Sequence, residues 1–283
     1  MADPRNRLRP LLHCGVPHKV NAALDEIVRL GDPALCDWIL EGAYVADLAM
    51  STAWQWKHDD VQKLRHPSLQ SEQVLRIAAH GTSPLAADLR RKVAKLGIEL
   101  GFNRRHEPFL DVSMLGGLTD TTKLRLMPKD PESLYEWRAE MAKTPPKLLA
   151  GFDMIAGMTA LEHLTVLGGG GVTLGSLAPL RELVHVELVA CDLRDTSELA
   201  HLAARTLVLA ACPHVTTLDV LPPGLQHLHL EDLPELRSIA GLAKASHLAS
   251  VHVAGVPLDA LPPLPKSVAV TFQRERPERT GMT

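Results

Sequence analysis

Between residues 158 and 272 the chain repeatedly places two aliphatic side chains on either side of a single freer position. The pairs are Leu164/Val166, Val186/Leu188, Leu207/Leu209, Leu228/Leu230 and Val251/Val253, followed by a shorter unit read as Val268/Val270. Their first members are 22, 21, 21, 23 and 17 residues apart. Apolar-x-apolar is the signature of a strand with one buried face. Its return at so constant an interval predicts a stack of similar units, each giving one short strand to a parallel sheet and sharing a core with its neighbours. The most regular unit is LRELVHVELVACDLRDTSEL, residues 180–199.

The first third has a different period. Val20, Ala23, Leu24, Ile27 and Val28 share one helical face, and Gly31 ends the run. Asp32-Pro33 then supplies an N-cap and a first-turn proline for a second helix carrying Leu35, Trp38 and Ile39, closed by Gly42. The same grammar returns later. Val74, Ile77 and Ala78 precede Gly81, and Ser83-Pro84 opens a helix with Leu85, Leu89, Val93 and Leu96. These two hairpins resemble HEAT or ankyrin units, although EIVRLGDPALCDWILEGAYV lacks the ankyrin turn motif. Further on, Lys123–Leu126 alternates like a strand, and Asp130-Pro131 caps a helix through Leu134, Trp137 and Met141. The expected division is a helical region over 1–105, a strand-helix transition over 106–157, repeats over 158–273 and a charged tail over 274–283.

The repeat unit, with Leu180, Leu183, Val186, Leu188, Cys191, Leu193 and Leu199 in order, resembles the leucine-rich repeat family. The resemblance implies an α/β repeat solenoid of short parallel strands, each followed by a helical or extended convex segment. Three residues after the second strand position the family favours Asn or Cys. This chain has Gly169, Cys191, Cys212, Leu233 and Val256 there. Without an asparagine ladder, backbone groups along the stack must find other partners. Cys191 and Cys212 should stack as a buried thiol pair. Leu221-Pro222-Pro223-Gly224-Leu225 and Leu261-Pro262-Pro263-Leu264-Pro265 look like the extended connections of short repeats in secreted bacterial effectors. The Gly168–Gly171 run lacks the Gly-Lys-Ser/Thr of a phosphate loop and reads as a structural turn.

Residues between the inward pairs face outward and form columns. One reads Lys123, His163, His185, Thr206, His227, Ser250, Ser267, and the next Arg125, Thr165, Glu187, Val208, His229, His252, Ala269. Neighbouring strands lie about 4.8 Å apart, which brings His163 beside His185 and His229 beside His252. Three readings fit this histidine-bearing face. The residues are tolerated half-polar strand positions, they form a pH-sensitive protein- or peptide-binding patch, or they hold a metal or a catalytic group. The candidate partner-binding residues are His163, His185, Glu187, His227, His229 and His252. No catalytic residue, cofactor site or metal site is assigned. His58-Asp59-Asp60, between Trp54, Trp56 and Pro67, reads as a polar turn beside packing tryptophans.

Composition narrows the classes further. Net charge is −3, and the basic clusters Arg90-Arg91-Lys92 and Arg104-Arg105-His106 are short, so no nucleic-acid partner is expected. Aromatics are 4% against 46% hydrophobic residues, which makes the core aliphatic, as a stack of like units requires. Four scattered cysteines with no CxxC fit neither a disulfide framework nor a zinc module. The start, MADPRNRLRPLLHC, has no signal-peptide apolar run, and no long apolar segment predicts a membrane span. The expectation is a cytoplasmic, non-enzymatic scaffold or adaptor of bacterial composition that binds a protein or peptide. The alternatives are a secreted bacterial effector that binds a host protein, and a metal-binding or enzymatic use of the histidine face.

Overall fold

The computed structural model describes residues 3–12, 14, 17–45, 54–56, 77–96, 98–102, 109–112, 118–128, 147–258 and 261–273. The chain divides into two compact units, Met1–Leu96 and Gly97–Thr283.

The first unit is helical. Helices α1 (Pro4–Leu12), α2 (Pro17–Leu30), α3 (Pro33–Gly42) and α4 (Pro84–Leu96) are joined by a short helical stretch at 77–80. An antiparallel pair of short strands, β1 (Ala43–Val45) and β2 (Trp54–Trp56), accompanies them. The sequence expectation of a helical hairpin at Gly31 holds for local reasons. Gly31 takes a left-handed φ of 60°, and its N–H donates to the Ile27 carbonyl as α2 ends. Asp32 Oδ1 then accepts the Ala34 N–H at 2.9 Å, capping α3. At the second hairpin Ser83 Oγ accepts the Ala86 N–H at 3.1 Å. Leu24, Ile27, Leu35, Ile39, Ile77 and Leu89 pack into one buried cluster. Helix α1 was not expected; its Leu8 and Leu12 join that cluster, and Arg7 holds Glu26 of α2 through a two-pronged contact whose Nη1–Oε2 arm is 2.9 Å.

The second unit is built on an eight-stranded, wholly parallel sheet. Its strands are β3 (Ile98–Phe102), β5 (Lys123–Pro128), β7 (His163–Leu167), β9 (His185–Val189), β10 (Thr206–Ala210), β11 (His227–Glu231), β12 (Ser250–Ala254) and β13 (Ala269–Gln273). They lie side by side in chain order, as stacking of successive units demands. A second parallel sheet joins β4 (Phe109–Asp111), β6 (Lys147–Ala150) and β8 (Gly169–Gly170), so the early coils carry an additional strand each. The sheet therefore starts before the regular sequence period does: β3, inside the stretch expected to be helical, pairs with β5.

Alternation drives the packing. Leu164, Val166, Val186, Leu188, Leu207 and Leu209 are fully buried, while the residues between them are half-exposed. Short 3-10 helices, Phe152–Gly157, Leu174–Leu177, Ser197–His201 and Ala240–Lys244, form the return segments of four coils. The two returns with a Leu-Pro-Pro stretch differ: 211–226 contains no helix, and neither do the described residues of 255–268. The register corrects the last repeat. Val251 pairs with Val270 and Val253 with Phe272, so the inward pair is Val270/Phe272 rather than Val268/Val270. Val268 instead closes the turn before the strand, its N–H bonding the Pro265 carbonyl at 3.0 Å. The expected helix through Leu134, Trp137 and Met141 lies outside the described residues.

From β7 to β12 the chain leaves each strand of the large sheet through a residue with positive φ: Gly168, Ala190, Ala211, Asp232 and Gly255, at 77°, 52°, 51°, 52° and 60°. This turn aims each N–H at the next coil, for instance Ala190 to the Ala210 carbonyl at 2.8 Å and Ala211 to the Glu231 carbonyl at 2.9 Å. The cysteines do the work of the missing asparagines. Cys191 Sγ lies 3.5 Å from the Val166 carbonyl of the preceding coil and 3.5 Å from that of Val189. Cys212 Sγ repeats this with Leu188 at 3.5 Å and Ala210 at 3.4 Å. Burial pushes the Cys191 thiol well above its ordinary value, so it remains a protonated donor. The glycine run turns only at its ends; its middle, expected to be part of the turn, is strand β8, Gly169–Gly170, paired with β6. Gly168 and Gly171 have positive φ, and a Cβ on Gly169 would stand 2.7 Å from Leu149 Cδ1.

Candidate functional site

The outer face of the eight-stranded sheet gathers the candidate residues. In-register pairing aligns Lys123, His163, His185, Thr206, His227 and Ser250 in one column. The next column holds Arg125, Thr165, Glu187, Val208, His229 and His252. At β13 these columns continue with Ala269 and Thr271, correcting the expected Ser267 and Ala269 by the same two-residue shift as the inward pair.

The six candidates do not form one cluster. His163 and His185 make the first group, with ring centroids 5.7 Å apart and planes tilted by 39°. Glu187 sits next to them, its Oε2 accepting the Thr165 hydroxyl at 3.1 Å. His229 and His252 make the second group, stacked at 4.4 Å with 29° between planes. His227 stands one column away and shares a 2.9 Å hydrogen bond between its Nδ1 and Ser250 Oγ. Strand β10, bearing Thr206 and Val208, separates the groups.

One functional neighbour escaped the sequence reading. Glu231 approaches His229, with Oε2 3.2 Å from Nε2. It occupies a third outward position, where the other strands have Leu167, Val189, Ala210 and Ala254. The signal was present: one carboxylate in a column of buried aliphatic residues.

The electrostatics follow from this packing. Burial lowers the pKa of His185 first; proximity to His163 adds to the effect and Glu187 opposes it. His252 is lowered the same way, by burial first, then by His229, against the pull of Glu231. Both imidazoles are therefore neutral donor-acceptors near neutral pH and accept a proton only below the usual imidazole range. Stacked or tilted rings do not aim their nitrogens at a common point. Among the described residues, no three or more His, Cys, Asp or Glu side chains are placed to hold a metal ion. His58-Asp59-Asp60 lies outside the described residues. No helix among the described residues is long and apolar enough to cross a membrane.

No family model matches the chain, and neither does any curated protein. Among solved structures the chain is similar to internalin C2 of Listeria monocytogenes, at 18% identity over 73% of this chain and 85% of that one, with a TM-score of 0.34. It is also similar to an internalin F of the same species, at 15% identity over 68% of this chain and 71% of the other, with a TM-score of 0.31. The architecture is settled by the strands themselves. Parallel in-register pairing, aliphatic inward columns and the stacked cysteine slot make the repeats of the second unit a leucine-rich repeat solenoid with a helical unit before it.

Proposed function

We propose that this protein is a binding scaffold that engages a protein or peptide through the outer face of its eight-stranded sheet, with His163, His185, Glu187, His227, His229 and His252 among the contacts. One observation carries the reading. Five histidines and a glutamate are held at defined positions on a regular strand framework, His227 exposed and the others half-exposed, while the side chains between them are fully buried in the core. A rigid surface bearing amphipathic rings provides contact area at low entropic cost, which suits recognition of another chain.

The compartment belongs to the same proposal. A ladder in which Cys191 and Cys212 act as thiol donors to backbone carbonyls suits the reducing cytoplasm. The face does place the Ser250 hydroxyl 2.9 Å from His227 Nδ1, but the regular display of imidazole rings along successive strands makes binding rather than catalysis the reading we favour.

The test is affinity capture with the whole chain and with a His163/His185/His229→Ala variant. A variant altered away from the sheet face, Arg194→Ala/Glu235→Ala, serves as control. Loss of specific partners from the histidine variant alone is the expected outcome. An identical partner list for all three proteins would sink the proposal.

A further inference from the structure

The two histidine pairs are separated by a distance and register that suit one class of ligand. His163/His185 lies across β7 and β9, and His229/His252 across β11 and β12, with β10 between. At about 4.8 Å per strand the pairs are three spacings, roughly 14 Å, apart across the sheet. The second pair also lies two residues further along the strands, which lengthens the diagonal to about 16 Å. We propose that the outer face binds an extended acidic peptide carrying carboxylates four residues apart, one seated on each histidine pair, and that binding tightens as the histidines protonate. This deepens the binding-face reading and rests on it.

Geometry supplies the spacing. An extended chain advances about 3.3 Å per residue and returns to the same face every second residue. Four residues therefore span about 13 Å with both side chains pointing at the sheet, and the length of a glutamate covers the remainder. The residue midway between them lies over β10, where Thr206 and Val208 present a half-buried, uncharged strip. A small aliphatic side chain fits there.

Charge supplies the specificity. Two imidazoles 5.7 Å or 4.4 Å apart resist a second proton, because like charges would then stand side by side. A carboxylate lying across the pair removes that penalty and raises both proton affinities. Around the first pair the other charged groups are Lys123 and Arg125 on β5 and Glu187 on β9. Around the second they are Glu231 and His227 on β11, while β13 adds only Ala269 and Thr271. Glu187 is already engaged by Thr165 and Glu231 by His229. Both carboxylates oppose any anion brought to the face, so the peptide's glutamates are accepted only as the imidazoles beside them gain protons.

The experiment uses the full chain and a fluorescent seven-residue peptide with glutamate second and sixth, valine fourth and threonine elsewhere. Anisotropy is read at about pH 5.5 and about pH 7.5, on either side of the imidazole range. Binding at the lower pH should be at least roughly tenfold tighter, since protons are taken up with the ligand. Moving the second glutamate to the fifth position, which turns it to the opposite face, should abolish binding, as should glutamine at both acidic positions. A His229→Gln/His252→Gln variant with an unchanged circular dichroism spectrum should bind more weakly and lose part of the pH dependence, the His163/His185 pair supplying the rest. No binding, equal affinity at both pH values, or equal binding of the glutamine peptide would each overturn the proposal. A neutral peptide that binds wild type but not the histidine variants would also overturn it while leaving the binding-face reading intact; unchanged capture by the triple alanine variant would remove that reading itself.

Discussion

Gly255 and Ala190 occupy equivalent places in different coils, yet they should respond unequally to exchange. Both have positive φ, 60° and 52°, a conformation that costs a residue with a Cβ about 1–2 kcal/mol. A Cβ on Gly255 would also meet Asp232 Oδ1 at 2.4 Å, so Gly255→Ala should lose about 2 kcal/mol or more in urea unfolding. In Ala190→Gly, relief of the strained backbone is set against the greater entropy of an unfolded glycine, about 0.4–1 kcal/mol. It is also set against loss of a methyl worth about 0.8 kcal/mol from a buried cluster; Ala190 packs there with Leu167, Val189 and Ala211. The sum is near zero, so Ala190→Gly should shift the midpoint little. An equal loss in both variants would mean that packing, not backbone strain, governs this column. No sequence signal marks it, because alanine is no turn residue; the left-handed turn is imposed by the need to aim each N–H at the next coil.

At the scale of the element, legibility follows from where the dictating contacts lie. The strands from β7 to β12 could be read because each inward side chain meets an equivalent one in the next coil, so period and burial are one pattern. That cue weakens at both ends. In β13 the inward Val270 is 48% exposed, so nothing enforced the choice between it and Val268. Strand β8 is two glycines, and β4 and β6 are short with no alternation of their own. Their pairing is decided by the stack, which no local window contains. Of the candidate site, the adjacency of each histidine pair was legible from register, whereas its division into two groups and the part of Glu231 needed coordinates. The helical hairpins were legible from caps, but not the contact that ties them together. Asp37 of α3 accepts the Ser83 N–H on Oδ1 at 3.0 Å, and the Thr82 N–H and hydroxyl on Oδ2 at 3.1 and 3.0 Å. Asp37→Ala would leave these donors at the start of α4 without their charged acceptor and should cost about 2–3 kcal/mol. Asp37→Asn keeps one acceptor oxygen and should lose less. Chemical denaturation followed by circular dichroism checks the order; equal stability of all three proteins would show that water replaces the carboxylate at no cost.

Across the whole molecule, these local environments combine into a stability profile with two acid limbs, one in each unit. His185 and His252 have folded pKa values below their unfolded ones, burial being the first cause. The unfolded chain therefore binds protons at a pH where the folded one does not, and stability falls as pH drops through the ordinary imidazole range, about 6.5 and just below. Asp37 runs by a different balance. Burial alone would raise its pKa, but the hydrogen bonds from Ser83 and Thr82 outweigh burial and hold it below the carboxylate range. Glu26 is lowered by Arg7, chiefly through the hydrogen bond. Their contributions are complete above the unfolded carboxylate values near about 4 and disappear as pH falls through the lower folded ones. The midpoint of thermal unfolding should therefore fall first between about pH 7 and 5 and again below about pH 4. His252→Gln should flatten the first limb and leave the second, because its titrating group lies on the sheet face of the second unit. Asp37→Asn should flatten the second and leave the first. A single limb near pH 4 in wild type would mean that His185 and His252 titrate alike in folded and unfolded chains, and that their burial carries no proton penalty.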